Sequence, residues 1–467
     1  MSGFIDGNLT VDMVREVRSQ LKRQADALRR EEYRALLDFY EGGRAPLSDQ
    51  YVKRHYREEE DAWLGRRSQL RGLNITRAIP ERIRDAMYGR AVERTCEDAE
   101  AGARLKDIYA QNNFDAVANQ IALEASILGS HLVGPYFDER LGRVAFRTRY
   151  LGDVYPWVSE QNADALDALL VEVVIDDLFS GESFLRAEIY TPEETGVFLA
   201  ADSRASYWEL DRRAHPDGDL TNPYGVIPWV HFRGRCPAQA GDWFGLSDIR
   251  DVVEVNKFIN ELLSIADKNA HDQGWSQLVL VNFHDDVEKV RVGTSRAIRT
   301  GEGGDAKYIV PDLKIADFVA LIEKLYAWAH ESAMVPMAAI RTSREARSGV
   351  ALEIELKPLL DLVAEREKRY RAGEIELMKM TALVDAAHRE NRTFTPDEAQ
   401  EFLNALDCDV RFKGGFLPED PTAALDRDLK LLAAGLADPL DLVARWHGLS
   451  RADAERKLAE IRSRTAS

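Results

Sequence analysis

The chain has 467 residues, 45% of them hydrophobic and 30% charged, with a formal net charge of −18. That composition excludes a disordered chain and fits a soluble protein with a large core, divided into roughly two to four domains. The acidic balance excludes a generic nucleic-acid binder with a broad basic face, but leaves room for contact at one small basic site.

Cys96, Cys236 and Cys408 are far apart and form no C-x-x-C pair. This spacing points away from a disulfide framework and toward a reducing cytosol. Met1–Thr10 has neither the basic region nor the apolar core of a signal peptide, and no run of about 18 apolar residues offers a membrane span. No membrane association is expected.

Residues 9–40 predict one long helix, with Val14, Val17 and Leu21 and then Leu36, Leu37, Phe39 and Tyr40 as apolar positions. Gly42-Gly43 ends it. Residues 74–88 predict a second helix with Pro80 near its start, and 107–128 a third closed by Gly129. The character then changes. Strands are expected within 142–157, at 169–175, 183–190 and 206–210, and at 226–232 after an Asn222-Pro223-Tyr224-Gly225 turn. The first 240 residues therefore predict a mixed α+β domain, helices first and strands after.

Ser247 and Asp248 are suited to cap a helix whose apolar positions run from Ile249 to Ala266 and which Gly274 ends. Strands are expected at 277–283, 288–292 and 308–310. A second amphipathic helix opens at Pro311-Asp312, with Ile315, Phe318, Val319, Ile322, Leu325, Tyr326 and Ala329 on one face. Run to Val335, it would be about 36 Å long, and Pro336 stops or kinks it. Then comes a compact loop, Arg341-Thr342-Ser343-Arg344-Glu345-Ala346-Arg347-Ser348-Gly349. Residues 350–384 predict a third long helix, kinked at Pro358 and weakened at Gly373. A strand at 409–412 and two or three short helices over 421–464 complete the chain.

Catalytic chemistry finds little support. His330-Glu331 opens like H-E-x-x-H, but Met334 stands where the second imidazole is needed, so His330 is expected to pack or face solvent. Residues 301–307 resemble a phosphate loop without its Gly-Lys-Ser/Thr ending. His284-Asp285-Asp286 are adjacent and cannot easily converge on one ion. Asp407-Cys408-Asp409 suits the start of a strand. No G-x-S-x-G elbow occurs. No catalytic residue, metal or cofactor is expected. Arg341, Arg344 and Arg347 recur every third residue. Guanidinium groups suit phosphate oxygens, whereas a solvated loop with ion pairs to Glu345 fits the spacing equally well.

Several short motifs in this order resemble the portal proteins of tailed bacteriophages, the ring-shaped head–tail connectors. They are Asn74, Ile79 and Tyr88-Gly89; Gly225-Val226-Ile227-Pro228; Gly245-Leu246-Ser247-Asp248-Ile249; Ser348-Gly349-Val350-Ala351-Leu352; Phe416-Leu417-Pro418-Glu419-Asp420; and Asp453-Ala454-Glu455-Arg456. Asp438-Pro439 departs from the Ile-Ser of many relatives. The resemblance implies a helix-rich α+β portal fold. Residues 1–245 and 349–415 would be the wing, with 349–415 supplying its long helix. Residues 246–274 and 312–337 would be two stem helices, 275–311 the clip, 338–348 the tunnel loop and 416–467 the crown. It places Arg341, Thr342, Ser343, Arg344, Glu345 and Arg347 at a DNA channel.

It also implies a homo-oligomeric ring of about a dozen subunits, a homododecamer, at a virion capsid vertex, assembled in the host cytoplasm. Its partners would be double-stranded DNA in transit, major capsid or scaffolding protein, a terminase packaging motor, and head-completion or tail adaptors. A duplex carries one charge per about 1.7 Å, so a stem of about 36 Å would face about 20 phosphates. An acidic conduit holds such a duplex weakly enough to let it slide. The alternatives are a nuclease-like nucleic-acid-processing enzyme, which needs an acidic cluster the sequence does not reveal, and a capsid adaptor or scaffold without a channel.

Overall fold

The computed structural model describes residues 9–465 except 22–23, 55–58, 160–161, 163–164, 177–180, 182, 201–206, 239–241, 275–276, 282–302, 310–314, 341–348, 414–420 and 448–450. The helix expected at 9–40 is seen on both sides of residues 22–23, as α1 (Val11–Leu21) and α2 (Gln24–Glu41). Their apolar faces serve different cores. Val14 and Val17 join a small cluster with Tyr155, Leu170 and Phe198, while Tyr33, Leu36 and Phe39 join the main core.

After α3 (Glu60–Ser68) and α4 (Ala78–Tyr88) comes a short strand, β1 (Val92–Cys96). The helix expected at 107–128 is broken into α5 (Ala99–Gln111) and α6 (Phe114–Leu128). Asn113 takes a left-handed φ of 48°, which Asn tolerates better than most residues. The Asn112 amide donates to the carbonyl of Val144 (2.9 Å), fixing the break against the next sheet.

That sheet has the order β3-β2-β9, from β2 (Ser130–Asp138), β3 (Arg143–Arg149) and β9 (Val230–Arg233). β2 escaped the sequence reading because Gly134-Pro135 sits inside it. Both residues fit their positions. Gly234 donates to the carbonyl of Gly129, so the odd-numbered residues of β2 face β9. Pro135 lies one such step beyond the last pair, Val133↔Val230, so its missing N–H breaks no ladder bond. A Cβ on Gly134 would lie 2.1 Å from the carbonyl oxygen of Pro228.

The second sheet is an antiparallel meander, β4 (Val154–Val158), β5 (Leu166–Asp176), β6 (Ser183–Tyr190), β7 (Thr195–Ala200) and β8 (Glu209–Leu210). Both its faces are covered at β5. Leu169 and Val171 enter the main core while Leu170 enters the α1 cluster. This accounts for the unbroken apolar run in that strand. The strand expected at 226–232 begins only at Val230, after Pro228.

The rest of the chain is mostly helical. α7 (Arg250–Gly274) leads to a ribbon of β10 (Gln277–Val281) and β11 (Asp305–Ile309), then to α8 (Ile315–Ser332). The strand expected at 288–292 lies outside the described residues. α9 (Gly349–Arg389) is 41 residues long and crosses the main core. α10 (Pro396–Ala405) starts at a capping box built by Thr395 and Glu398. β12 (Cys408–Phe412) returns to pair with β1. The tail forms α11 (Pro421–Ala433), α12 (Pro439–His447) and α13 (Arg451–Thr465). The Trp446 indole donates to the buried Asp428 (3.0 Å), tying α12 to α11. The fold is α+β, as expected.

Candidate functional site: the helical stem and the arginine loop

α7 and α8 pack against each other and join through the β10–β11 ribbon. One face of α7 carries Asn256, Asn260 and Ser264 at four-residue spacing, all buried. They clamp the extended segment 71–75. Asn256 accepts from Ile75 N (3.2 Å) and donates to Leu73 O (2.7 Å). Asn260 accepts from Leu73 N (2.9 Å), and Ser264 from Arg71 N (3.0 Å). These side chains replace the partners that an unpaired strand would otherwise seek in water. Spacing alone could have revealed this polar ladder, since i, i+4, i+8 share one helix face.

The root of α7 is a buried ionic node. Asp248 was expected only to cap the helix, yet its carboxylate meets two guanidinium groups. Arg366 Nη2 donates to both its oxygens at 2.8 Å, and Arg235 Nε lies 2.9 Å from Oδ1. The Ser126 hydroxyl donates to Oδ2 (2.5 Å). The side chains of Asp248 and Arg366 are both fully buried. Burial lowers the Arg366 pKa, and Asp248 more than reverses this, leaving it above its ordinary value. Arg235 also donates to the carbonyl of Ala333 (3.2 Å), just past α8. One carboxylate therefore joins α6, the start of α7, the end of α8 and the middle of α9.

A second node sits two turns along α9. Glu374 pairs with Arg94 (2.5 and 2.8 Å) and accepts from the Tyr88 hydroxyl (2.8 Å). Burial and the Glu374 charge both raise the Tyr88 pKa well above its ordinary value. Both nodes had a signal that sequence reasoning missed. Arg366 and Glu374 lie among Leu359, Leu362, Val363, Tyr370 and Leu377, on a buried helical stripe where an unpaired charge would be prohibitive.

α8 ends at Ser332, short of the expected Val335, and its described part from Ile315 spans about 27 Å. The stop precedes Pro336. Met334 adopts φ 60°, and Val335 N donates back to His330 O (3.0 Å), a left-handed cap. His330 is buried, its ring edge-on to Tyr326 at 4.6 Å. A short 3-10 turn, Met337–Ala339, then leads toward α9. Arg341, Thr342, Ser343, Arg344, Glu345 and Arg347 all lie outside the described residues. Their flanks, Ile340 and Gly349, place the segment between α8 and α9.

The solvent face of the pair is unusual. Val319 and Leu321 on α8 and Phe258 on α7 are exposed, and Trp328 is 59% exposed. The charges around them are mostly acidic: five against three basic over α7, and three against one over α8. Among the described residues no group of three or more His, Cys, Asp or Glu could hold a metal, and no helix is long and apolar enough to cross a membrane. The 284–286 and 301–302 positions lie outside the described residues.

The Gly245-Leu246-Ser247-Asp248-Ile249 motif packs tightly where α6 meets β2. A Cβ on Gly245 would stand 2.1 Å from the carbonyl oxygen of Gly129, and Gly245 N donates to the Ser130 hydroxyl (2.8 Å). Asn74, from the first motif, accepts from the amides of Thr76 (3.2 Å) and Arg77 (3.0 Å) ahead of α4. No curated protein matches the chain. The family model described as "Phage portal protein, SPP1 Gp6-like" matches residues 20–391, from α1 through the end of α9. A match over that share of the sequence, spanning α7, α8 and the node at their root, means that the chain belongs to the SPP1 Gp6-like phage portal protein family.

Proposed function

We propose that this protein forms the closed ring at one capsid vertex through which double-stranded DNA is packaged and later ejected. It acts as a structural protein and not as an enzyme. The observation that carries the reading is the α7–α8 pair, which leaves Val319, Leu321, Trp328 and Phe258 uncovered within one subunit. A heterologous contact repeated around a ring of about a dozen copies buries such a face on every subunit. In this reading residues 1–245 and 349–415 are the wing, 246–274 and 312–337 the stem, 275–311 the clip that docks tail-side adaptors, and 416–467 the crown. Residues 338–348 are the tunnel loop, whose Arg341, Arg344 and Arg347 touch phosphates in passing. The acidic stem keeps the duplex from sticking. Capsid or scaffolding protein and the terminase motor are its further partners, with assembly in the host cytoplasm.

Negative-stain electron microscopy with solution mass tests the ring. The expected outcome is closed rings with a central hole, and their loss in Trp328→Glu while circular dichroism stays that of the folded chain. A wild-type chain that remains a monomer at high concentration, with capsid and scaffolding protein present, overturns the proposal.

A further inference from the structure

Cys96 and Cys408 are distant in sequence but directly opposed on β1 and β12. Glu97 N donates to Asp407 O and Lys413 N to Ala91 O, which makes the odd-numbered residues of β1 the hydrogen-bonded pairs. Cys96↔Cys408 is therefore a non-hydrogen-bonded pair, the kind with Cα atoms about 4.5 Å apart and side chains closest. That separation falls inside the range a disulfide spans. Both thiols are free, with Cys96 partly exposed and Cys408 buried. They line a surface hollow of about 360 Å³ together with Arg371, Arg411, Asp407 and Asp409. Arg371 and Arg411 at its rim both pair with Asp409, and Glu97 adds a further carboxylate to the lining.

We propose that Cys96 and Cys408 are a dithiol site that closes to a disulfide by exchange with a small-molecule disulfide that reaches the hollow. Cys96, the accessible thiol, attacks first as thiolate. It forms a mixed disulfide and expels one reagent thiolate. Cys408 then loses its proton and attacks the Cys96 sulfur, expelling the second. Two protein thiols and one reagent disulfide become one protein disulfide and two reagent thiols, with no other oxidant. Burial, reinforced by the hydrogen bond with Cys96, pushes the Cys408 thiol up to about 12. Closure by Cys408 is thus the slower step and quickens as pH rises. The reducing compartment inferred from the spacing of the cysteines describes where the chain is made; a particle outside the cell meets the opposite poise. That consequence rests on the portal reading, whereas the chemistry does not.

The test uses the purified full-length chain, oxidised glutathione as probe, and alkylation of remaining thiols before peptide mass spectrometry. Cys96 and Cys408 should be recovered as one crosslinked peptide, whereas the exposed Cys236 carries at most a glutathione adduct. The melting temperature should rise by roughly a few degrees, because a long loop is closed. Cys408→Ala should stop at a single glutathione adduct on Cys96. A stable adduct on Cys96 in the wild-type chain, with Cys408 still alkylatable, overturns the proposal whatever the outcome for ring assembly.

Discussion

Single side chains decide how tightly this fold is knotted. Asp248 is fully buried against Arg366 and Arg235, and removing one partner strands a buried charge, a loss of about 3–5 kcal/mol. Asp248→Asn should lower the unfolding midpoint strongly. Asp248→Asn combined with Arg366→Met should recover part of that loss, as read by calorimetry. A second residue gives the protein a pH edge. His231 is stacked on Trp243 at 3.7 Å and half-buried, and desolvation first, then Arg233 and His131, hold its pKa well below the ordinary value near 6.5. The unfolded chain binds this proton below about pH 6.5 while the folded chain refuses it, so stability present at neutral pH is lost as pH falls toward 5. His231→Phe should flatten that slope in melting temperature against pH. None of these roles was legible in the sequence. A charge in an apolar stripe announces that a partner exists, but not which of many distant residues supplies it.

Among the elements, helical periodicity located α7, α8 and the long α9, because those stripes are regular over several turns. It failed where a single residue overrode it, at Asn113 between α5 and α6 and at Met334 beyond α8. It also missed β2 through its Gly-Pro, and α10 and β7 because they are short. Gly373 was expected to weaken α9. In the fold it makes room instead: a Cβ there would stand 2.8 Å from the ring of Phe232, which is buried against Tyr370. Gly373→Ala gains up to about 1 kcal/mol of helix propensity but must move that ring. A lower melting temperature is expected, restored by adding Phe232→Leu. A higher one would mean that the ring yields freely.

The molecule as a whole is acidic, −18 over its length, yet carries three arginines in the segment between α8 and α9. Reversing Arg341, Arg344 and Arg347 to Glu should impair packaging or retention of DNA while rings still form. Normal packaging by that triple variant would remove the segment from the DNA path. The family was legible from motifs strung along the chain. The arrangement of subunits was not, since small angles at an interface decide it. One further consequence lies in α9. At about 1.5 Å per residue its 41 residues reach about 60 Å, from the arginine segment to Arg389, which pairs with Glu100 of α5. Pro358 removes one rung of the helix near its beginning, and beyond it the Arg366 and Glu374 nodes act as a fulcrum. A tilt of about 5° about that point would swing the Arg389 end by about 2–3 Å, over an arm of about 30 Å. α9 is then a lever, able to carry a push on its first turns to its contact with α5.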